Sequence, residues 1–393
     1  MSRFLIVTWD GAGNLLSTLG IAQRLVEAGH DVRLLGHPSI DERCGRGGWT
    51  FRPFASAPRC DATHPGDLAE EMPFLIQNVF FSSDVARDTA TEFERAPADV
   101  LLVDALLPAA LCAAEALPVP TAALFHSPYC LFRGGPLLDM VSMAFPMITA
   151  IRSDLGLDPV EGIPQLHDRC ELALVASPRE FEGPGEPAPN VRFVGPILDG
   201  PTLGPADPAP ATGDGPGPLV VVSFSTSDMG QAPVLQRILD ALGQVPAQVL
   251  VTTGPAVDPT GLRAAANTEV VGYVPHGAVL PNASAVVTHA GLGTVMAALA
   301  HGVPLLCMPM GRDQFFNAGR VTELGAGRTL STDADGSMIA DTVASVLADA
   351  ALREGAKRMA TAIAGYGGSA VAVSELERLT AVAPSPSDAQ GSN

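Results

Sequence analysis

Short, almost unbroken apolar runs alternate along this chain with longer stretches in which apolar residues recur every three or four positions. In the first half the runs are Phe4–Trp9, Val32–Leu35, Val100–Val103, Thr121–Phe125, Leu172–Ala176 and Val191–Val194. In the second half they are Leu219–Phe224, Val249–Thr253, Glu269–Val271, Ala285–Thr288 and Pro304–Met308. Runs apolar on both faces suit parallel strands covered by helices on each side. Between the first two runs, Leu15, Leu19, Ala22, Leu25 and Val26 share one face of a helix that Gly29 closes. The result is a βαβ unit, whose crossover is expected to be right-handed. The pattern predicts an α/β protein of two doubly wound, Rossmann-like domains facing each other across a cleft. A Pro/Gly/Ala-dense stretch at 201–218 reads as the linker between domains at 1–200 and 219–382. The last helix is free to pack back on the first domain, and the Pro/Ser/Gly-rich tail at 383–393 reads as disordered.

Composition agrees with two domains. The chain has 393 residues, 47% of them hydrophobic and 17% charged, enough apolar material for two cores. It has no uncharged apolar stretch of the roughly 18 residues a membrane helix needs, so no span is expected. The N-terminal apolar run leads straight into a glycine loop and reads as a first strand, not a signal peptide. Cys44, Cys60, Cys112, Cys130, Cys170 and Cys307 form no CxxC or Cys/His cluster. Reduced thiols and a cytoplasmic location are the expectation. The net charge of −19 argues against a nucleic-acid partner, because binding a polyphosphate depends on clustered cations. One small phosphate ligand stays compatible with that charge, since helix N-terminal amides hold such groups locally.

The informative stretch runs from 271 to 327. A buried strand ends at His289, a small-residue turn follows at Ala290–Gly293, and a helix is predicted to open at Thr294. Backbone N–H groups in such a turn lack intrahelical partners and point along the positive end of the helix dipole. Glycines allow a diphosphate close approach, and the carboxyl ends of strands are where open α/β sheets bind ligands.

Here the sequence resembles the donor-binding signature of nucleotide-sugar-dependent glycosyltransferases of the GT-B fold, which include actinobacterial macrolide and antibiotic glycosyltransferases and plant natural-product ones. The matching elements are Tyr273-Val274-Pro275, His289-Ala290-Gly291-Leu292-Gly293-Thr294, Gly302-Val303-Pro304 and Asp313-Gln314-Phe315-Phe316-Asn317-Ala318. The resemblance implies that Tyr273 packs on the nucleobase and the Val274 backbone meets its edge. It implies that His289 and Gly291, Leu292, Gly293 and Thr294 hold the diphosphate, and that Asp313 and Gln314 meet sugar hydroxyls. Ser225 and Thr226 match a phosphate-contacting pair, whose plain alternative is a local hydroxyl turn. Gly13, in the first glycine loop, is counted among the donor contacts. One departure stands at Ala297, where many relatives carry a glutamate that binds ribose.

An inverting transfer also needs a base for the acceptor hydroxyl. In many relatives this is a histidine in the first βα loop, oriented by an aspartate after a later strand. Here the loop reads Thr8-Trp9-Asp10-Gly11-Ala12-Gly13-Asn14, and Asn14 stands in the histidine's place. Asp10 is the expected base, with Asn14 positioning the acceptor; the alternative for Asp10 is a turn carboxylate bonding loop amides. Asp104 matches the orienting aspartate, either acting directly or left as a relic. His126, on the same strand edge, is a further catalytic candidate, although a lone histidine there is more often structural.

Two other patterns carry less. Asp333-Ala334-Asp335 formally matches a DxD metal motif but precedes a helical stretch, where capping explains it, so no metal is expected. Gly11-Ala12-Gly13 lacks the third glycine and the downstream acid of a dinucleotide fingerprint. The resulting expectation is an inverting, metal-independent glycosyltransferase with no cofactor beyond its donor. It would move a hexose or deoxyhexose from a TDP- or UDP-sugar to a small hydrophobic aglycone. Met72, Phe74, Phe80, Phe81, Met140, Met143, Phe145 and Met147 could line the acceptor pocket or simply fill the core. Two alternatives stay open: a nucleotide-sugar 2-epimerase and a degenerate homologue that binds a nucleotide sugar or assists another glycosyltransferase; assembly as a homodimer is open for either reading.

Overall fold

A computed structural model describes residues 1–11, 13–44, 47–60, 68–201, 207 and 217–382. Of the linker assigned to 201–218, only 201, 207, 217 and 218 lie within it, and the tail from 383 lies outside it.

Two wholly parallel sheets carry the chain. The first contains β1 (Arg3–Val7), β2 (Asp31–Gly36), β3 (Thr50–Pro53), β4 (Val100–Asp104), β5 (Thr121–Phe125), β6 (Leu172–Val175) and β7 (Val191–Phe193). They lie side by side in the order β3-β2-β1-β4-β5-β6-β7. The second contains β8 (Leu219–Ser223), β9 (Gln248–Thr252), β10 (Thr268–Val271), β11 (Ala283–Thr288), β12 (Leu305–Cys307) and β13 (Gly327–Thr329), in the order β10-β9-β8-β11-β12-β13. In each sheet the order reverses beside the first strand, opening a crevice at the carboxyl ends of β1 and β4 and of β8 and β11. This is the GT-B architecture that the sequence predicts.

The continuous apolar runs follow from burial on both faces. In β1, Leu5 and Val7 enter one helical layer while Phe4 and Ile6 enter the other. In β8, Leu219 and Val221 divide from Val220 and Val222 in the same way. Strand side chains alternate with a period of two, so a strand covered on both sides must be apolar throughout. The sequence reading missed β3 and β13, which are short edge strands containing Pro53 and Gly327 respectively. It also ran β1 two residues too far: Thr8 and Trp9 already belong to the loop after the strand.

The domains are tied together by chain that leaves one and enters the other. Phe181, which follows β6, is buried in the core of the second domain. Its carbonyl accepts Arg320 Nε at 3.1 Å, and the Tyr366 hydroxyl accepts the Arg179 N–H at 2.9 Å. The last helix, Gly368–Val382, lies against the first-domain helix Gly13–Glu27. Ala372, Val373 and Leu376 there join Leu15 and Leu19 in one core. No single helix among the described residues is long and apolar enough to cross a membrane.

Candidate functional site

The second-domain side of the cleft is built on the end of β11. His289 follows the strand and is 8% exposed. Burial, followed by the nearby Arg312 cation, lowers its pKa to about 4, so the imidazole is neutral and keeps one N–H to donate. Ala290 then turns the chain with φ at 68°, a left-handed conformation that costs a residue with a Cβ. A Cβ at Gly291 would lie 2.5 Å from His289 Nε2, so a larger residue there displaces the imidazole. The helix opens at Leu292, two residues before the expected Thr294, because Gly291 already serves as its cap position. No side chain caps it, which leaves the first amides available to a ligand. A Cβ on Gly293 would meet nothing within 4 Å, so the space before this turn is open.

Asn317, fully buried, clamps this turn to the next strand's loop. Its Nδ2 donates to the Ala290 carbonyl at 3.0 Å and to Asp313 Oδ2 at 3.1 Å. Burial raises the Asp313 pKa, partly offset by Asn317, by His126 across the cleft and by Arg312. Gln314 is engaged within the protein: its Oε1 accepts the N–H groups of Met310 at 2.8 Å and Gly311 at 3.1 Å. Its Nε2 lies 3.3 Å from Met229 Sδ. Gln314 thus shapes the loop that carries Asp313.

The loop after β8 faces the same space. Ser225 Oγ accepts the Ser227 N–H at 3.1 Å, the local hydroxyl turn that was the plain alternative for this residue. Thr226 lies between them, half-buried. Gln231, fully buried, donates to the carbonyls of Ser225 and Ser227 at 3.1 Å each. Arg312 Nη1 reaches Ser227 Oγ at 3.5 Å, which brings a cation to this corner. Beyond β10, Val274 is buried and Tyr273 half-buried. Asp207 pairs with the Tyr273 backbone: its N–H donates to the carbonyl at 2.8 Å and its Oδ2 accepts the amide at 2.9 Å. Ala297 packs in the core, and its carbonyl is hydrogen-bonded by His301. In the second acidic motif, Asp335 accepts the Met338 N–H at 2.9 Å and caps the helix Gly336–Ala348.

On the first-domain side, the residues after β1, β4 and β5 converge. Asn14 Nδ2 donates to Asp104 Oδ2 and to the Trp9 carbonyl, at 3.0 Å each. Asn14 Oδ1 accepts the Gly11 N–H at 3.1 Å, and the Gly13 N–H closes the same loop on the Gly11 carbonyl at 2.7 Å. Asp104 also accepts the Leu106 N–H at 2.9 Å and meets His126 Nε2 at 3.2 Å. Burial acts to lower the His126 pKa, but Asp104 and then Asp313 outweigh it, and the pKa is raised.

Asp10, expected as the base, lies in the loop after β1 beside this cluster. Its side chain is fully enclosed and accepts Ser39 Oγ at 2.6 Å, and its backbone N–H donates to His37 Nδ1 at 3.3 Å. These contacts fit the turn carboxylate that was the alternative for this residue. Among the acceptor-pocket candidates, Phe80 and Phe81 belong to the core. Met72, Met140, Phe145 and Met147 are partly buried against it, while Phe74 and Met143 are exposed.

Residues 236–379 match the family model of the C-terminal domain of erythromycin biosynthesis protein CIII-like proteins. The chain is 28% identical over 370 residues to the 4'-demethylrebeccamycin synthase of Lentzea aerocolonigenes, covering 83% of this chain and 86% of that relative. The fold is that of the GT-B glycosyltransferases. The crystal structure of the calicheamicin glycosyltransferase CalG4 superposes on this chain with a TM-score of 0.78 at 24% identity, over 98% of this chain and 100% of the other. The spinosyn rhamnosyltransferase SpnG complexed with thymidine diphosphate does so with a TM-score of 0.74 at 20% identity, over 96% and 100%.

Sequence reasoning assigned no role to Asn317, Arg312, Gln231 or Asp207. Asn317 and Arg312 sit in or beside the recognised motif, so position alone could have raised them. Gln231 and Asp207 act through contacts with no local sequence signal.

Proposed function

We propose that the protein transfers a hexose or deoxyhexose from a TDP- or UDP-sugar to a hydroxyl of a small natural-product acceptor. The transfer proceeds with inversion at the anomeric carbon and needs neither a metal nor a further cofactor. The observation that carries this reading is the turn at 289–294, where a neutral histidine and uncapped helix amides face open space, tied by Asn317 to the Asp313 carboxylate. The turn suits a diphosphate, and Asp313 at its edge suits a sugar hydroxyl. A related structure with thymidine diphosphate bound supports the donor class, and a similar one with spinosyn aglycone supports the acceptor class.

In this reading the nucleobase lies beside Tyr273 and Val274, and the diphosphate lies on the amides of Gly291–Thr294. As the C1–O bond to the diphosphate breaks, the charge on the leaving group falls on those amides, on the His289 N–H and on Arg312. Donors fixed in advance stabilise such charge without reorganisation. Direct attack from the first-domain side of the cleft gives inversion.

Calorimetric titration with TDP and UDP, with and without magnesium, tests the donor site. Binding indifferent to magnesium and lost in His289→Ala supports it, and absence of binding by both nucleotides sinks it. The anomeric coupling constant of a transferred sugar, read by NMR, tests inversion.

A further inference from the structure

We propose that His126 is the general base that takes the proton from the acceptor, with Asp104 and Asn14 as the positioning residues that orient it. The inference rests on the glycosyl-transfer reading and names the group that reading leaves unassigned. Three neighbouring strands supply the parts: Asn14 follows β1, Asp104 ends β4, and His126 is the first residue after β5. Asp104 pairs across the sheet with Leu124, so His126 stands just beyond it at the same edge.

The division of labour follows from hydrogen-bond capacity. The Asp104 carboxylate is 1% exposed and already has the Leu106 N–H, the Asn14 amide and the His126 ring as partners. A carboxylate held by three partners and almost without exposed surface keeps its orientation and offers little access to an acceptor. Asn14 has no useful basicity, and its amide donates to Asp104 Oδ2, which the imidazole also approaches. With His126 Nε2–H donated to Asp104, the ring presents Nδ1 as its lone pair. The segment that follows His126 is also fixed: buried Glu182 accepts the N–H groups of Tyr129 at 3.0 Å and Cys130 at 2.9 Å. A basic nitrogen is therefore held rigidly on the edge that faces Asp313 of the donor domain.

In the step itself, the acceptor O–H oxygen forms the new bond to C1 while its proton passes to His126 Nδ1. The C1–O bond to the diphosphate breaks, and its electron pair leaves with the nucleoside diphosphate. The imidazolium is offset by Asp104 until the proton returns to solvent. Burial opposes the cation, and Asp104 from β4, Asp313 from the second domain and the residue's own backbone carbonyl together outweigh it, so the pKa is raised. The free base therefore appears only above the ordinary histidine range, and turnover rises with pH through that point.

The test uses the full-length enzyme with TDP-glucose and UDP-glucose as donors and two acceptors. One is 2-chloro-4-nitrophenol, already ionised at neutral pH; the other is 4-nitrobenzyl alcohol, which is not. His126→Gln is expected to lose about a hundredfold or more in kcat toward the alcohol, the range general-base removal gives. Toward the phenolate it should stay within about tenfold of the parent, with TDP affinity unchanged. Asp104→Asn is expected to move the acidic limb of kcat/KM to lower pH. NMR titration of the His126 ring should give a pKa above that of a free histidine, falling in Asp104→Asn, and this readout needs no turnover. Equal losses toward both acceptors would overturn the assignment. So would an acceptor-dependent loss in Asp10→Asn that is absent in His126→Gln, or a His126 ring that titrates indifferently to Asp104. Failure to bind either nucleotide would instead overturn the glycosyl-transfer reading itself.

Discussion

The side-chain amide of Asn317 donates to the backbone carbonyl of Ala290, 27 positions earlier, at 3.0 Å. The same nitrogen donates to Asp313, so one buried group holds the diphosphate turn and the sugar-facing carboxylate in a fixed relation. Asn317→Ala should leave the Ala290 carbonyl short of a partner inside the protein, at a cost of about 1–3 kcal/mol. Urea unfolding should show that loss and calorimetry a weaker TDP affinity. Unchanged affinity would mean that the turn holds its shape alone.

Ala290 sits at a φ of 68° with no exposed surface. Ala290→Gly should change stability by no more than about 1 kcal/mol, because relief of the left-handed strain opposes the added freedom of the unfolded chain. Ala290→Val should cost roughly 2 kcal/mol or more, since a β-branched side chain neither fits that conformation nor that space. Thermal unfolding of the pair reads the difference directly; equal melting points would argue against strain at this position.

Gly291→Ala places a methyl group 2.5 Å from His289 Nε2. The imidazole must move aside, so TDP or UDP affinity should drop about tenfold or more, equivalent to about 1.4 kcal/mol. The fold should hold, because the backbone there has a φ of −60° that alanine accepts. Titration of the variant with both nucleotides checks this, and wild-type affinity would remove His289 from the phosphate site.

His37, His167 and His289 are buried, and burial depresses each pKa to about 4. Their folded pKa lies below the unfolded value, so the unfolded chain takes up protons first as pH falls. Stability should be intact above about pH 6.5 and decline toward pH 4, by at most about 3 kcal/mol per histidine. Denaturant midpoints measured at pH 7 and pH 5 should differ in that sense. His167→Gln, which removes one of these titrations, should reduce the difference.

The architecture was legible because each central strand is apolar on both faces, as Phe4–Val7 and Leu219–Ser223 show, and because a glycine or proline usually closes each unit. Edge strands such as Thr50–Pro53 escape that logic, since half of their contacts are missing and the pattern thins with them. The donor turn was legible as a motif of small residues whose spacing follows from local backbone chemistry. The arrangement of Asp10, Asn14, Asp104 and His126 was not, because it depends on which side of a loop each group faces. Asp10 and Asn14 are close in sequence, yet Ser39 draws one carboxylate inward while the Asn14 amide turns to Asp104. A linear sequence gives proximity along the chain, and here the decisive contacts come from neighbouring strands.

The return of the helix Gly368–Val382 to the first domain has a practical consequence for recombination. A chimaera spliced once between the domains would pair a foreign first domain with this chain's final helix. Ala372, Val373 and Leu376 would then have to fit a core for which they were not selected, and Glu377 would lose His30. Exchanging the acceptor half intact therefore takes two crossover points, one before β8 and a second near Tyr366, so that the terminal helix travels with the domain it completes.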